Sequence, residues 1–183
     1  MEFKTTSEWD ELFWANAAGV YQLAFEGKGA KPKRVIQNMF RKDICCLHIC
    51  IEENQVLAMA LTGKLSGIQG LLIDYLAVHP DCLNQGIGKN MVGRIKDWCK
   101  NTGSFERLLI EVEADQSPEN LARKHFWQKS GFVLTEYIHH YIWVPEKYQA
   151  MYLELVPDTN QPKDGKELFK HISNFHKDSY QGV

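Results

Sequence analysis

No apolar run in the sequence approaches the roughly 18 to 20 residues that cross a bilayer, which argues against a membrane protein. Positive charge is not in excess either. Lys and Arg number 21 against 23 Asp and Glu, a formal net charge of −2, so no broad basic field exists to hold nucleic acid. The opening residues, MEFKTTSEWDELFW, lack the basic start and apolar core of a secretory signal. Cysteine is sparse and odd in number: Cys45, Cys46, Cys50, Cys82 and Cys99 show no paired-loop spacing and read as free thiols. These absences together point to a cytoplasmic location, with neither membrane nor nucleic acid as partner. Cys46, His48 and Cys50 alternate along one strand face. With no fourth ligand and no turn between ligands, they read as strand packing rather than a zinc site.

What is present is the composition of a globular protein. Apolar residues make up 44% and charged residues 24% of 183, enough for one domain with a buried core. Ser7 reads as the N-cap of a first helix with Asp10 at its third position. Trp9, Leu12, Phe13, Ala17, Val20, Tyr21 and Ala24 keep helical spacing until Gly27 and Gly29. Val35, Ile36, Met39 and Phe40 give a second, short helix. Residues 45–51 and 56–64 read as strands around the polar turn 52–55, and 71–78 as a third strand. Met91, Val92, Ile95, Trp98 and Cys99 stripe a helix that 101–103 stops. Residues 107–113 form the next strand, and Ser117-Pro118 opens a helix that ends before Gly131. Residues 132–143 and 148–156 read as the last strands.

Beyond Pro157 a polar linker leads to an amphipathic helix carrying Leu168, Phe169, Ile172 and Phe175. The order predicts an α+β class with a mixed sheet. Residues 1–156 form the domain. Residues 157–183 either cap its apolar surface or pack against a second subunit, as in a homodimer. His139, His140, His171 and His176 lack metal-site spacing and are expected at surface or interface positions.

The most informative stretch is LLIDYLAVHPDCLNQGIGK, residues 71–89. An apolar strand ends at His79-Pro80, a polar turn follows, and Gly86-Ile87-Gly88 opens an amphipathic helix. Such a passage presents unpaired N–H groups and the positive end of a helix dipole to an anion. It is not a P-loop, since no Gly-Lys-Ser/Thr ending occurs, nor a dinucleotide fingerprint, whose third glycine would fall on Met91. Leu76-Ala77-Val78-His79-Pro80, followed by Gln85-Gly86-Ile87-Gly88, resembles the GNAT superfamily of N-acetyltransferases. That family's loop reads Arg/Gln-x-x-Gly-x-Gly/Ala after a strand ending in a Val-x-Pro-like segment. A second block, Asn120, Phe126-Trp127 and Gly131-Phe132, resembles the family's Asn-x(5)-Phe-Tyr-x(3)-Gly-Phe. The two blocks lie within 69–133, and the strand order carries the likeness over roughly 1–156. The resemblance implies a mixed, largely antiparallel sheet of about six to seven strands, split by a bulge and flanked by helices.

The resemblance also implies acetyl-CoA as donor and a primary amine, on a small molecule or a peptide, as acceptor. The backbone of Leu76, Ala77 and Val78 would pair with the pantetheine arm like an added strand, with an N–H of Leu76 or Val78 on the thioester carbonyl. The loop Leu83, Asn84, Gln85, Gly86, Ile87 and Gly88 would hold the pyrophosphate, with Lys89 adding positive charge. Asn120, Phe126 and Trp127 would line the cofactor. Two positions depart from the family. Leu83 stands where an Arg or Gln is usual, which leaves anion binding to the backbone. Trp127 stands where many members place a tyrosine that protonates the departing thiolate, and an indole N–H is no usable acid. Tyr137 and Tyr141 on the following strand are alternative acids.

For the base that takes the amine's proton, three carboxylates compete. Glu111 and Glu113 alternate with Leu108, Ile110 and Val112, so both acids project from one strand face. Ile110-Glu111-Val112 resembles the Leu-Glu-Val of ribosomal-protein alanine acetyltransferases, where the glutamate is the base. Asp74 lies four residues before Val78, where other members carry an acid. As a set these acids favour a cationic acceptor. The competing function is a non-catalytic acyl-CoA-binding module that keeps the cradle and has lost turnover.

Overall fold

A computed structural model covers residues 1–183. The chain runs β1 (Glu2–Thr6), α1 (Glu11–Phe25), α2 (Lys33–Arg41), β2 (Cys45–Glu52), β3 (Gln55–Leu65), β4 (Gly70–Val78), α3 (Ile87–Thr102), β5 (Arg107–Glu113), α4 (Pro118–Lys129), β6 (Val133–Leu134), β7 (His139–His140), β8 (Lys147–Glu154) and α5 (Gly165–Tyr180). The strands form one sheet in the order β1-β2-β3-β4-β5-β8-β6, with β7 also on β8. Only β4 and β5 are parallel, and α3 supplies the crossover that parallel neighbours need. The class is therefore α+β with a mixed, mostly antiparallel sheet.

Local chemistry explains most of these elements. Glu53 and Asn54 both take positive φ, 49° and 68°, the primed turn that joins β2 to β3 without splaying them. Ile87, Met91, Val92, Ile95 and Cys99 are the buried stripe of α3, and Gly103 ends it in the left-handed region at φ 64°. Ser117 caps α4 by accepting from the Asn120 N–H, with Pro118 at its first position.

Three expectations need correcting. The N-cap of α1 is Asp10, not Ser7: its carboxylate accepts from the Phe13 N–H at 2.9 Å. Residues 2–6 form an edge strand, in register with β2 from Glu2 opposite Ile51 to Thr6 opposite Leu47. Residues 132–143 are not one strand. The chain leaves β8 after Thr135, whose N–H and hydroxyl both bond the Ala150 carbonyl, and returns at His139. In between, Tyr137 turns toward α5, its ring centroid 6.1 Å from that of Phe169.

The sheet has a core on each face. α3 and α4 cover one, around Met91, Ile95, Trp127 and Phe132. On the other face α1 and α2 pack with α5, whose Leu168, Phe169, Ile172 and Phe175 are all buried in the larger core. Burying each such side chain is worth about 1.5–3 kcal/mol, so α5 is held to the domain by its own apolar stripe.

Candidate active site

The site forms where β4 and β5 part. Their ladder runs only from Gly70 opposite Arg107 to Leu72 opposite Leu109. On its other edge β4 slips against β3: Leu61 faces Tyr75 while Thr62 faces Ile73, which makes Asp74 the extra residue of a bulge. A bulge bends its strand, and this one turns β4 away directly after its last pair with β5. The His79 N–H bonds the Leu57 carbonyl of β3 at 2.8 Å. Since donors alternate sides along a strand, the N–H groups of Leu76 and Val78 face the widening gap.

From Val78 the chain passes through a short 3-10 turn (Pro80–Cys82) into α3. Asn84 and Gly86 take positive φ, 62° and 79°, and at Gly86 the missing Cβ removes the steric penalty of that turn. The first helical bond runs from the Asn90 N–H to the Gly86 carbonyl at 3.0 Å, and no protein group accepts from the N–H groups of residues 85–89. Leu83, 55% exposed, contributes no donor from its side chain. Lys89 is exposed beside the loop. Gly88 packs close to Val78 and Phe126, 3.4 and 3.5 Å from where its Cβ would stand. This row of free donors at a helix start fits a pyrophosphate, and the open edge of β4 fits an extended pantetheine arm.

Behind the cradle, Trp127 is buried edge-on against Phe126 at 5.0 Å and Phe132 at 5.1 Å. Asn120 is also buried. Its amide nitrogen donates to Glu113 and Asp115, both at 2.8 Å, and its carbonyl accepts from Arg123 at 2.7 Å. Those bonds tie β5 to α4 and use the whole amide.

The acids meet on the opposite face. Lys31, in the α1–α2 loop, donates from Nζ to Asp74 at 2.6 Å, and its side chain and that of Asp74 are 3% and 4% exposed. The same Nζ lies 3.3 Å from His176 Nδ1, and His176 Nε2 is 2.5 Å from Glu111 Oε1. Tyr141 donates its hydroxyl to the second oxygen of Glu111 at 2.8 Å. An ammonium has donors only, so Nδ1 accepts; the ring hydrogen then sits on Nε2 and is donated to Glu111. Burial works to raise the Glu111 carboxyl, but His176, the Tyr141 hydroxyl and the Lys31 ammonium outweigh it and hold the group below the usual carboxylate range. Glu111 is thus an ionised orienter, and the basic lone pair of the network, at Nδ1 of His176, accepts from Lys31. Burial and the Glu111 carboxylate push the Tyr141 phenol far above its ordinary range, which makes it a poor acid.

Of the sequence candidates, the fold brings Asp74, Glu111 and Tyr141 together. Glu113 is occupied by Asn120 and by Arg123 at 3.8 Å. Tyr137 packs on Phe169 and makes no bond to the acids. His176 corrects the expectation of a surface or interface position: its side chain is 15% exposed and sits at the centre of the network. Lys31 had no sequence signal. His176 had one, since Phe169, Ile172 and His176 fall three and four residues apart on the buried face of α5. Two cavities of about 200 and 430 Å³ lie elsewhere, between β1 and α3, and none of the acids lines them.

A family model for the acetyltransferase (GNAT) family matches residues 7–132. No curated protein matches by sequence. A GNAT-family protein from Bacteroides thetaiotaomicron superposes with a TM-score of 0.72 at 15% identity, covering 97% of this chain and 95% of that one. An aminoglycoside 6'-N-acetyltransferase solved with coenzyme A gives 0.67 at 10% identity, covering 87% and 100%. The ribosomal-protein-S18-alanine N-acetyltransferase of Escherichia coli gives 0.59 at 16%, covering 88% and 99%. At such identities the likeness is one of fold.

Proposed function

The chain belongs to the GNAT acetyltransferase family, and from that premise we propose that it transfers an acetyl group from acetyl-CoA to a primary, cationic amine of a small molecule or peptide. One observation carries the reading: the parting of β4 and β5 puts two unpaired backbone donors and an acid–imidazole pair at the same opening. Bound acetyl-CoA supplies the acetyl group as a thioester. The N–H groups of residues 85–89 bind its pyrophosphate. Leu76 and Val78 pair with the pantetheine arm, and one of their N–H groups polarises the carbonyl. An alkylammonium of pKa about 10.4 costs roughly 4 to 5 kcal/mol to neutralise at pH 7. His176 takes that proton at Nδ1 when the acceptor ammonium displaces Lys31 Nζ from it, while Glu111 fixes the ring and stabilises the imidazolium. Asp74 is the counter-ion of the ammonium held beside that ring.

Glu111→Gln removes the anion that orients His176. Turnover, followed as free thiol release, falls by about a hundredfold or more, while acetyl-CoA affinity measured by calorimetry stays within about twofold. Equal loss of both would take Glu111 out of the reaction. Trp127 favours a second reading, a module that binds acyl-CoA without turning it over, because no side-chain acid replaces the family's tyrosine. A thiolate of pKa near 8.5 leaves without one at a cost of about tenfold to a hundredfold. Thiol release with any member of a panel of polyamines, aminoglycosides, amino acids and peptides decides for the enzyme.

A further inference from the structure

The position an acceptor ammonium needs is filled by the chain itself. Both backbone groups of Lys31 are pinned: its N–H donates to the Tyr75 hydroxyl and its carbonyl accepts from the Tyr21 hydroxyl, each at 3.1 Å. Its Nζ is ringed by Asp74 and His176 and by the faces of Tyr75 and Phe175, whose centroids lie 5.1 and 5.6 Å away. Lys31 Nζ, His176 Nδ1, His176 Nε2 and Glu111 therefore form a continuous line of nucleophile, base and orienting carboxylate, with bond lengths of 3.3 and 2.5 Å. That is the arrangement by which a protein activates one of its own nucleophiles. It bridges the two lips of the opening, since Asp74 belongs to β4 and Glu111 to β5.

We propose that Lys31 is a self-acetylation site, modified at Nζ within the same molecule. The proposal rests on the acetyl-transfer reading above. Lys31 gives one proton from its ammonium to His176 Nδ1. The freed Nζ lone pair bonds the thioester carbonyl carbon, and the C–S bond breaks with its electrons on sulfur. A second Nζ proton goes to that thiolate, so one amide and one free thiol form and one proton is released. From Asp74 to Leu76, whose N–H faces the gap, is about 7 Å of strand rise, a distance that rotation of the lysine side chain covers. The product is neutral, so Asp74 loses its ammonium partner.

The protein is incubated with isotopically labelled acetyl-CoA, and fragmentation mass spectrometry resolves Lys31 from Lys28 and Lys33. Spontaneous acetylation follows exposure, and Lys31 is 4% exposed while the side chains of Lys4 and Lys33 are 47% and 48% exposed. Lys31 is expected to be marked at least tenfold faster than those two, at a fractional rate independent of protein concentration. His176→Asn slows Lys31 tenfold or more and leaves the exposed lysines unchanged. With acetyl-CoA removed, the marked protein unfolds at a lower urea concentration than the unmarked one. Lys31→Arg, given the same treatment, shows no such drop. Exposed lysines marked ahead of Lys31 would overturn the proposal, and a fractional rate rising with protein concentration would overturn its intramolecular step. Thiol release to added amines with Lys31 unmarked sinks this proposal alone. Failure of acetyl-CoA to bind in calorimetry sinks the acetyl-transfer reading with it.

Discussion

Gly63→Ala tests whether α5 builds the site. Gly63 lies on β3 opposite Cys45 and Leu72, and the ring of Phe175 rests on its bare backbone. A Cβ there would stand 2.9 Å from Phe175 Cε1, with Cζ and Cε2 nearer still, where carbon atoms settle at about 3.5–4 Å. The ring must retreat by roughly 1 Å or more. His176 is the next residue, and its 2.5 Å bond to Glu111 would stretch toward about 3.5 Å, the end of hydrogen-bond range. Overpacking costs about 1–3 kcal/mol and a weakened bond to a charged group about 1.5–3, so the loss should fall near 2.5–6 kcal/mol in urea unfolding. Acetyl-CoA affinity should hold, because the cradle lies on the α3 side of the sheet, while thiol release drops. Phe175→Ala alone costs about 3–5 kcal/mol, yet beside Gly63→Ala the added methyl enters space the ring has left. The double variant should therefore be more stable than the sum by at least about 1 kcal/mol. A neutral Gly63→Ala, or single effects adding to within about 0.5 kcal/mol, would refute the claim that this contact seats the helix.

Asp74→Asn strands the Lys31 ammonium, whose side chain is 3% exposed, and should cost about 3–5 kcal/mol in urea unfolding. Unchanged stability with lost turnover would instead make Asp74 a base rather than a counter-ion. His48 gives a pH signature, being buried between the hydroxyls of Thr5 at 2.8 Å and Thr62 at 3.0 Å with its pKa lowered by burial to about 3. The unfolded ring takes its proton near pH 6.5 and the folded one does not, so this contribution is complete above pH 6.5 and is lost as pH falls toward 3. Between pH 6 and 5 the wild type should lose about 1.2 kcal/mol more than His48→Gln, and parallel unfolding curves would contradict the buried, neutral ring.

The fold was legible wherever local chemistry decides it. Ser117-Pro118, Gly103, Gly131 and the 52–55 turn each carry their own punctuation, and the helix stripes and central strands follow from periodicity. The strand β1 was not legible, because Glu2–Thr6 holds one large apolar residue, Phe3, and gains its order from β2. Residues 132–143 misled for the opposite reason. Their aromatic and β-branched content suits a strand throughout, but Tyr137 is drawn out toward Phe169 of a helix some thirty residues later. The cradle was readable because one short segment builds it. The acid network comes from the α1–α2 loop, β4, β5, the segment after β7 and α5, and nothing in a local window joins those five.

One constraint did reach beyond the motifs. Asp74 and Glu111 occupy strands whose neighbours on this face, Leu72, Tyr75, Ala77 and Leu109, belong to the larger core. Two carboxylates in such surroundings cannot wait for a cationic substrate to balance them, since an unpaired buried charge costs several kcal/mol. The chain must bring its own basic groups, and they must come from elements that cover this face. That leaves α1, α2 and α5 with their loops, because α3 and α4 pack on the other side. Lys31 and His176 meet that demand. His176 also lies beyond residues 7–132, the part matched to the family, so the proposed base belongs to a helix that the family's motifs do not describe.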